Sequence, residues 1–208
     1  MNVLILSPHT DDGEFGCGGS IARFISEGKK VFYAAFSIAE RSVPPKYPRD
    51  ILKNEVKEAT GVLGIRKENL ILFDYITREF PSSRQSILDD ILILKKKLKP
   101  DMVMLPSTYD THQDHQVIVQ EGFRAFKNVT MVGYEMPRNN LNFPTNVFVA
   151  LTRRELRLKI KAVECYRSQA RKHIPSPREL YEMLARLRGA QIGLEYAEVF
   201  EAIRWVMK

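Results

Sequence analysis

Cysteine, tryptophan and histidine are scarce in this chain of 208 residues, which contains two cysteines, one tryptophan and four histidines. Cys17 and Cys165 lie far apart in the sequence, so they form neither a metal-binding pair nor a disulfide framework, and we expect both to be packing residues. A chain of this length can bury enough apolar surface to fold without disulfides or structural metals. Any metal that it binds is therefore expected to be functional.

Long apolar runs are also absent, because none approaches the ~20 residues that a membrane-spanning helix needs. The first residues, MNVLILSPHTDD, lack the basic start and the small-residue cleavage site of a secretory signal. We therefore expect a cytoplasmic protein without a transmembrane segment. No linker, internal repeat or low-complexity tract divides the sequence, so we predict a single domain over residues 1–208.

The net charge of +7 is concentrated in one region, since residues 152–188 hold eleven Lys and Arg side chains against four Glu. Leu156, Ile160 and Val163 recur there at helical spacing, which indicates that the cations form the solvated face of an amphipathic helix. An anionic ligand, such as a phosphate-bearing substrate, is the alternative. Nucleic acid is not an expected partner, because no aromatic residues are interleaved with the basic ones.

Short apolar runs alternate with amphipathic stretches along most of the chain. The candidate strands are residues 3–6, 31–36, 70–73, 102–105, 130–134 and 146–151, and the tail 194–207 again has a strand-like pattern. The candidate helices lie near residues 18–27, 49–63, 83–98 and 114–126. This alternation predicts a single-domain, Rossmann-like α/β fold with a mainly parallel sheet and helices on both faces.

Two polar loops, 38–48 and 136–146, are too long for tight connections and are candidate active-site loops. Together with residues 74–82 they are expected to carry the choice of substrate. Arg49 begins the helix after the first loop and is a candidate contact for a sugar hydroxyl or a phosphate, with a solvated arginine as the alternative. His173 lies in a basic, proline-bounded segment, and we interpret it as a surface or substrate-loop residue.

Three of the four histidines fall in two short segments, each of which directly follows a predicted strand. His9 lies in SPHTDDGEFGCGG, and His112 and His115 lie in TYDTHQDHQ. Because parallel strands present their carboxyl ends at one edge of a sheet, we expect these imidazoles to meet the nearby carboxylates there. Those carboxylates are Asp11, Asp12, Asp110 and Asp114. Two histidines and one carboxylate form an open zinc site, and the same ligands suit iron(II).

Four glycines, Gly13, Gly16, Gly18 and Gly19, follow the first histidine. We expect them to form a tight turn between strand and helix, where a backbone approaches closely. A dinucleotide-binding loop is the competing explanation, but the spacing G-x-G-x-x-G is not met. The carboxylates before the glycines would also repel a pyrophosphate.

The segments His9-Thr10-Asp11-Asp12-Gly13-Glu14 and His112-Gln113-Asp114-His115 resemble the PIG-L/LmbE-like zinc-dependent de-N-acetylases. That family is marked by His-Pro-Asp-Asp-Glu before a glycine-rich helix start and by a later His-x-Asp-His. Two departures, Thr10 for proline and Gly13 for glutamate, are expected to reshape the loop. The resemblance covers nearly the whole chain and includes Arg49, Glu55, Val62-Leu63-Gly64, Tyr166-Arg167-Ser168-Gln169 and Tyr196-Ala197-Glu198-Val199-Phe200.

The resemblance implies that His9, Asp12 and His115 bind the metal and that Asp11 is the general base. It also implies that His112, oriented by Asp114, stabilises the oxyanion. We expect His112 to act as an imidazolium, because an ionised Asp114 beside it would raise its pKa.

The activity implied by the resemblance is removal of an N-acetyl group from an N-acetylglucosamine-type amino sugar by a metal-bound water, with Zn²⁺ or Fe²⁺ as the metal. The sugar's identity and charge and the oligomeric state stay open, and a homo-oligomer is compatible with the sequence. One alternative is a metallo-β-lactamase-type hydrolase or nuclease, because only Asp110 departs from His-x-His-x-Asp-His. A non-catalytic basic binding protein is the other.

Overall fold

Seven short strands form one sheet, in which the apolar runs are mostly covered on both faces. The computed structural model describes residues 1–169 and 176–207, so His173 lies outside the described residues. The strands are β1 (Asn2–Ser7), β2 (Lys30–Ala35), β3 (Leu70–Leu72), β4 (Met102–Pro106), β5 (Thr130–Tyr134), β6 (Val147–Ala150) and β7 (Ala197–Arg204). Their spatial order is β3-β2-β1-β4-β5-β7-β6.

The first five strands run parallel, with β1 at the centre between β2 and β4. The strand β7 lies antiparallel between β5 and β6. This arrangement confirms the predicted mainly parallel α/β sheet and the predicted strand-like tail. The order reverses at β1, where the chain crosses from one half of the sheet to the other, and the loops after β1 and β4 leave the same edge.

Helices cover both faces of the sheet, as the alternating pattern predicts. On one face lie α1 (Asp12–Ser26), α2 (Ile51–Leu63) and α5 (Arg153–Glu164), whose inward residues share a core with alternate residues of β1 and β2. On the other lie α3 (Arg84–Leu98) and α4 (Gln113–Ala125). The last helix, α6 (Pro177–Ala190), packs beside α5 and β7. Three short 3₁₀ turns lie at Glu40–Ser42, Lys67–Asn69 and Phe80–Ser83.

The glycine-rich segment departs from the prediction, because α1 begins at Asp12 rather than near residue 18 and contains all four glycines. A Cβ at Gly13 would lie 2.5 Å from the ring of Tyr33, and one at Gly16 would overlap the ring of Tyr134. The expected role in a tight turn is therefore wrong. The expected close approach of the backbone is found along the helix instead: Gly13 and Gly16 lie against the two tyrosine rings, and Gly18 and Gly19 lie against side chains of α5, β7 and the residue after β6.

Helix α1 is kinked at Cys17, whose φ of −142° and ψ of 22° are not helical. The Glu198 side chain of β7 accepts hydrogen bonds from the backbone N–H groups of Gly19 (3.0 Å) and Ser20 (2.6 Å) just after the kink. Lys159 pairs with the same carboxylate. A carboxylate here satisfies amides that the kink separates from their usual helical acceptors. The closing segment of the chain thus fixes α1 to the sheet.

Both cysteines are free, Cys17 fully buried and Cys165 partly buried, which agrees with packing roles. Among residues 1–169 and 176–207, no helix combines the length and the apolar character needed to cross a membrane.

The basic stretch is largely paired with glutamates. Leu156, Ile160 and Val163 are buried, which confirms the amphipathic helix in this region. Among the described residues of this stretch, 152–169 and 176–188, six cations form ion pairs: Arg153 with Glu195, Lys159 with Glu198, Arg167 with Glu58, Arg178 with Glu164, Arg186 with Glu182 and Arg188 with Glu135. Much of the local positive charge is thereby neutralised, which favours the interpretation as a solvated helix face.

Candidate active site

The loops after β1 and β4 meet at one edge of the sheet, as predicted, because these two strands are hydrogen-bonded neighbours. The first loop supplies His9 and leads into α1, whose first residue is Asp12. The second leads into α4, where His112 is the N-cap residue and His115 lies in the first turn. The topology therefore places two distant sequence segments within direct contact.

Three side-chain atoms converge at the centre of this cluster. Asp12 Oδ2 lies 3.1 Å from His9 Nδ1 and 3.2 Å from His115 Nε2, and the two nitrogens are 3.4 Å apart. A tetrahedral zinc site with ligand distances of ~2.0–2.1 Å has ligand-to-ligand separations of about 3.3–3.4 Å. The three buried donors are thus spaced as ligands of one small cation, so the predicted set His9, Asp12 and His115 fits a divalent metal.

The second ring nitrogen of each of these two imidazoles lies within hydrogen-bonding distance of a buried carboxylate. His9 Nε2 lies 2.9 Å from Asp114 Oδ2, and His115 Nδ1 lies 2.7 Å from Asp110 Oδ2. Such carboxylates fix the tautomer and the ring orientation of a metal-binding histidine and increase its basicity. Asp110 was expected at this rim but had no assigned role. Its position five residues before His115, where a loop leads into a helix, is the signal that could have suggested one.

The pKa shifts of the clustered side chains indicate that this site stabilises positive charge. Burial opposes charge on both rings, yet Asp12 with Asp114 raises the pKa of His9 to about 9, and Asp12 with Asp110 raises the pKa of His115 to about 10. Burial also opposes ionisation of Asp12, but the charges on His115 and His9 hold its pKa well below the usual value. Without a metal, protons supply the cationic charge. Metal binding is therefore expected to release protons and to strengthen as the pH rises.

His112 differs from the other two histidines in its hydrogen bonding. Its Nδ1 accepts the backbone N–H of Asp114 at 3.2 Å. In a neutral ring the proton then resides on Nε2, which becomes a donor. The rings of His9, His112 and His115 can each present a nitrogen within 4.8 Å of one another, so three histidines are an alternative ligand set. Asp12 is favoured as the third ligand, because a protonated Nε2 cannot bind a metal.

The Asp114 side chain does not contact the His112 ring, although its charge acts on the pKa of His112 in the expected direction. The Asp114 carboxylate contacts His9 and accepts the backbone N–H of Arg78 (2.7 Å), while its contact with His112 runs through its own backbone amide. Burial, with the charges on His115 and His9, lowers the pKa of His112 below its usual value, despite the opposing effect of Asp114. This lowered pKa favours a neutral imidazole that donates from Nε2–H over the expected imidazolium.

Asp11 occupies the N-cap position of α1, but its carboxylate does not cap the helix. It lines the cavity beside the cluster instead. Burial, and then the neighbouring charge of Asp12, raise the pKa of Asp11 to about 6. A carboxylate with such a pKa is ionised at neutral pH and can accept a proton readily, which matches the predicted role of general base.

A cavity of about 320 Å³ opens over the cluster. The three predicted substrate loops all contribute to its wall, through Ala39 and Ser42, through Thr77 and Arg78, and through residues 136–139. Further lining comes from Phe15, Leu52, Gln169, Leu180 and Tyr181. Sequence reasoning assigned no role to Arg78 or Arg138, because neither belongs to a recognisable motif.

Arg49 lies outside this cavity. It is exposed and lines a second cavity of about 780 Å³, which meets the first at Ala39 and Thr77. The structure thus places the candidate substrate residue next to the metal cluster's cavity but not within it.

A buried acid supports the loop that carries His9 from beneath. The carbonyl of Thr10 accepts from the hydroxyls of Tyr33 (2.9 Å) and Tyr166 (2.6 Å), and both hydroxyls also contact the Glu14 carboxyl. Burial raises the pKa of Glu14 to about 8, so this side chain keeps its proton at neutral pH. The two tyrosines and Glu14 hold the peptide between His9 and Asp11 in place.

Another contact joins two of the matching sequence segments. Ser168 donates through its backbone N–H (2.9 Å) and its hydroxyl (2.6 Å) to the buried carboxylate of Glu55 on α2. This anchors Gln169, which lines the cavity. Tyr166 and Gln169, to which the sequence assigned no role, therefore lie at the site.

Arg78 has a backbone conformation that arginine rarely adopts. Its φ is 71°, in the left-handed region, which costs a non-glycine residue roughly 1–2 kcal/mol. Its N–H donates to Asp114 Oδ2, and its carbonyl accepts from Gln113 Nε2 at 2.6 Å. Both contacts come from the first turn of α4, which carries His115. The conformation at Arg78 is therefore fixed by the same helix that builds the cluster.

This fold, with a carboxylate-supported histidine cluster at the sheet edge, defines a class of α/β proteins suited to a divalent metal. The sequence profile of the GlcNAc-PI de-N-acetylase (PIG-L) family matches residues 4–126. The chain belongs to this family. Membership sets aside the alternative of a metallo-β-lactamase-type fold.

Three similar proteins illustrate the range of the fold. The uncharacterized deacetylase YaiS of Escherichia coli K12 is 26% identical over 173 residues, which cover 80% of this chain and 90% of that protein. The N,N'-diacetylchitobiose deacetylase from Pyrococcus horikoshii is 24% identical with a TM-score of 0.76, covering 96% of this chain and 82% of that one. GalB, the 4-carboxy-2-hydroxymuconate hydratase from Pseudomonas putida KT2440, is 18% identical with a TM-score of 0.79, covering 100% and 98%. Because a hydratase shares the architecture, the fold alone does not define the reaction.

Proposed function

We propose that this protein is a metal-dependent hydrolase that removes the acetyl group from an N-acetylated amino sugar of the N-acetylglucosamine type. The observation that carries the proposal is the convergence of His9, Asp12 and His115 at metal-ligand spacing, with Asp11 and His112 beside them on one cavity wall. Family membership supports amide hydrolysis. The similarity to a diacetylchitobiose deacetylase supports an acetamido sugar as the substrate.

His9, Asp12 and His115 would hold the metal, for which Zn²⁺ is the first candidate and Fe²⁺ the second. A divalent metal bound there would polarise the acetyl carbonyl and acidify a water molecule. Asp114 and Asp110 keep the two imidazoles oriented and basic through their hydrogen bonds to the outer ring nitrogens. Asp114 is thus proposed as a positioning residue rather than as a catalytic one.

Asp11 carries the proton transfers, and His112 stabilises the negative charge that develops on the acetyl oxygen. Asp11 accepts a proton from the attacking water, because it is ionised at neutral pH and not engaged in capping its helix. His112 donates a hydrogen bond from Nε2–H to the oxygen of the acetyl carbonyl as negative charge develops there, and it keeps its proton throughout. Asp11, now protonated, then gives its proton to the departing amine. The cycle leaves both side chains in their starting states.

The second cavity would hold the remainder of a substrate larger than a monosaccharide. Arg49 lines that cavity, so we propose that it contacts a distal part of the substrate rather than the reacting sugar. A free, nucleotide-linked, lipid-linked or oligosaccharide substrate would each place a different group there. The cytoplasmic location and a possible homo-oligomer stay predictions.

The deciding experiment is a deacetylation screen of the purified, metal-analysed protein against acetamido sugars with and without a phosphate or nucleotide. We expect about one divalent metal ion per chain, acetate release from at least one sugar, and loss of both after chelation. A filled metal site without acetate release from any sugar would contradict the proposal. Steeply salt-dependent DNA binding without metal would favour the basic binding protein instead.

A further inference from the structure

Arg78 places a cation on the wall of the catalytic cavity without pairing it to an acid. Within residues 1–169 and 176–207, its guanidinium takes part in none of the ion pairs. The acidic side chain next to it, Glu79, pairs with Arg41 instead. The guanidinium of Arg78 is therefore available to a ligand in the cavity.

The backbone of Arg78 is held in the left-handed region that glycine adopts most easily. Its N–H and its carbonyl are both bonded to the first turn of α4, through Asp114 and Gln113. The peptide therefore keeps one conformation, in which Arg78 lies on the cavity wall. Strained residues that the surroundings hold in place are concentrated at binding sites.

The acidic and the basic side chains on the cavity wall come from different segments of the chain. Its acids are Asp11 and Asp12, which belong to the metal cluster, while the loops contribute two arginines, Arg78 and Arg138. A metal would neutralise part of the acidic charge, and Arg78 then contributes positive charge on the loop side of the cavity. A planar guanidinium can bind a carboxylate or a phosphate through two parallel hydrogen bonds.

We propose that Arg78 is a specificity residue that binds an anionic group, a carboxylate or a phosphate, on the substituent of the acetamido sugar. This inference rests on the proposed deacetylase function and names the substrate class within it. The basic stretch 152–188 is not needed for such selectivity, because the cavity carries its own cations. The neutral part of the substrate would lie over the cluster, and the anionic group would face loop 74–82.

The first test compares two substrates that differ in one charged group, N-acetylglucosamine and N-acetylglucosamine 1-phosphate, together with a neutral methyl glycoside and a carboxylate-bearing glycoside. We expect kcat/KM of the wild-type enzyme to favour each anionic member by about tenfold, the effect of one charge-assisted pair. Arg78→Met should remove most of that ratio, and Arg78→Lys should keep part of it. Arg66→Met changes an exposed arginine far from the cavity and should leave the ratio unchanged.

A second variant separates charge from backbone strain. Arg78→Gly removes the guanidinium but relaxes the left-handed conformation, so it should not disturb the loop even if Arg78→Met does. Loss of the anionic preference in both variants supports the proposal. Retention of the preference in Arg78→Gly would overturn it.

A direct measurement of phosphate binding tests the anion site independently of deacetylase activity. Calorimetric titration with inorganic phosphate, on the metal-loaded and the metal-stripped protein, should show about tenfold weaker binding in Arg78→Met and Arg78→Gly than in Arg66→Met. Equal affinities in all variants would overturn the anion site. If no sugar is deacetylated but phosphate binding depends on Arg78, the proposed function fails and the anion site stands. If sugars are deacetylated but the anionic ones are not preferred, the proposed function stands and the anion site is overturned.

Discussion

The cluster of candidate metal ligands and the loops around it lie on the same cavity but are built in different ways. His9, Asp12 and His115 are buried and share hydrogen bonds with one another and with two further carboxylates. Arg78 and Arg138, on the loops, are exposed. Replacing a buried, fully paired side chain leaves its partners unpaired and lowers stability. Replacing an exposed side chain costs little folding free energy. The residues proposed for the chemistry are thus fixed by packing, whereas those proposed for the choice of substrate lie on the surface.

The largest expected effect concerns the proposed general base beside the buried cluster. Asp11→Asn should lower turnover by roughly 10²–10⁴-fold, because the amide cannot accept the proton of the attacking water. Metal content, measured by elemental analysis, should not change, since Asp11 is not in the ligand triangle. Substantial remaining activity in this variant would show that another group is the base.

The next effect distinguishes the two possible ligand sets. Asp12→Ala should abolish stoichiometric metal binding, because it removes the atom that lies between the two imidazoles. His112→Ala should retain the metal and lower turnover by about 10²–10³-fold through loss of the oxyanion donor. The reverse pattern, with metal lost in His112→Ala and kept in Asp12→Ala, would establish the three-histidine set.

A smaller effect is expected from the carboxylates behind the histidines. Asp114→Asn and Asp110→Asn should each weaken metal affinity by about 10–100-fold, because the imidazoles lose an anionic partner. Competition with a chelator of known affinity measures this change. Asp89→Asn, on the exposed face of α3, is the control and should bind metal like the wild type. Unchanged affinity in both cluster variants would mean that these contacts do not support the metal.

The smallest effect concerns packing beneath the cluster. Gly16→Ala should lower the free energy of unfolding by about 1–3 kcal/mol, because the added methyl group meets the ring of Tyr134. Gly61→Ala is the matched control on α2, where a Cβ meets nothing within 4 Å, and it should raise stability by about 0.5–1 kcal/mol. Denaturant unfolding measures both. Equal midpoints would show that α1 can move away from the sheet without cost.

The sequence predicted the convergence of the two histidine segments because that depends only on which strands are parallel and where they end. It did not predict which carboxylate contacts which ring. Asp114 bonds to His9 rather than to His112 because α4 begins at Gln113 and turns the Asp114 side chain inward. That choice is made by helix geometry at a single residue, which motif spacing does not reveal.

The prediction of a turn for the four glycines of residues 13–19 was wrong for a related reason. Glycines after a strand favour a turn when only local preferences are considered. Here Tyr33 and Tyr134, from strands distant in the sequence, require the absence of side chains along a helix. Arg78 gave no signal at all, since one arginine in a polar loop has no pattern. Only the structure distinguishes this residue, by a backbone angle and by its contacts with α4.

The kink in α1 has a consequence for how the protein is made. Every residue of the ligand triangle lies within the segment 4–126 that the family profile covers. Yet the loop and helix that present His9 and Asp12 are held by Tyr166 and Glu198. During synthesis the ligands emerge well before the groups that hold them. An amino-terminal fragment containing all three ligands would therefore lack the rigid cluster, which is completed only when the last strand enters the sheet.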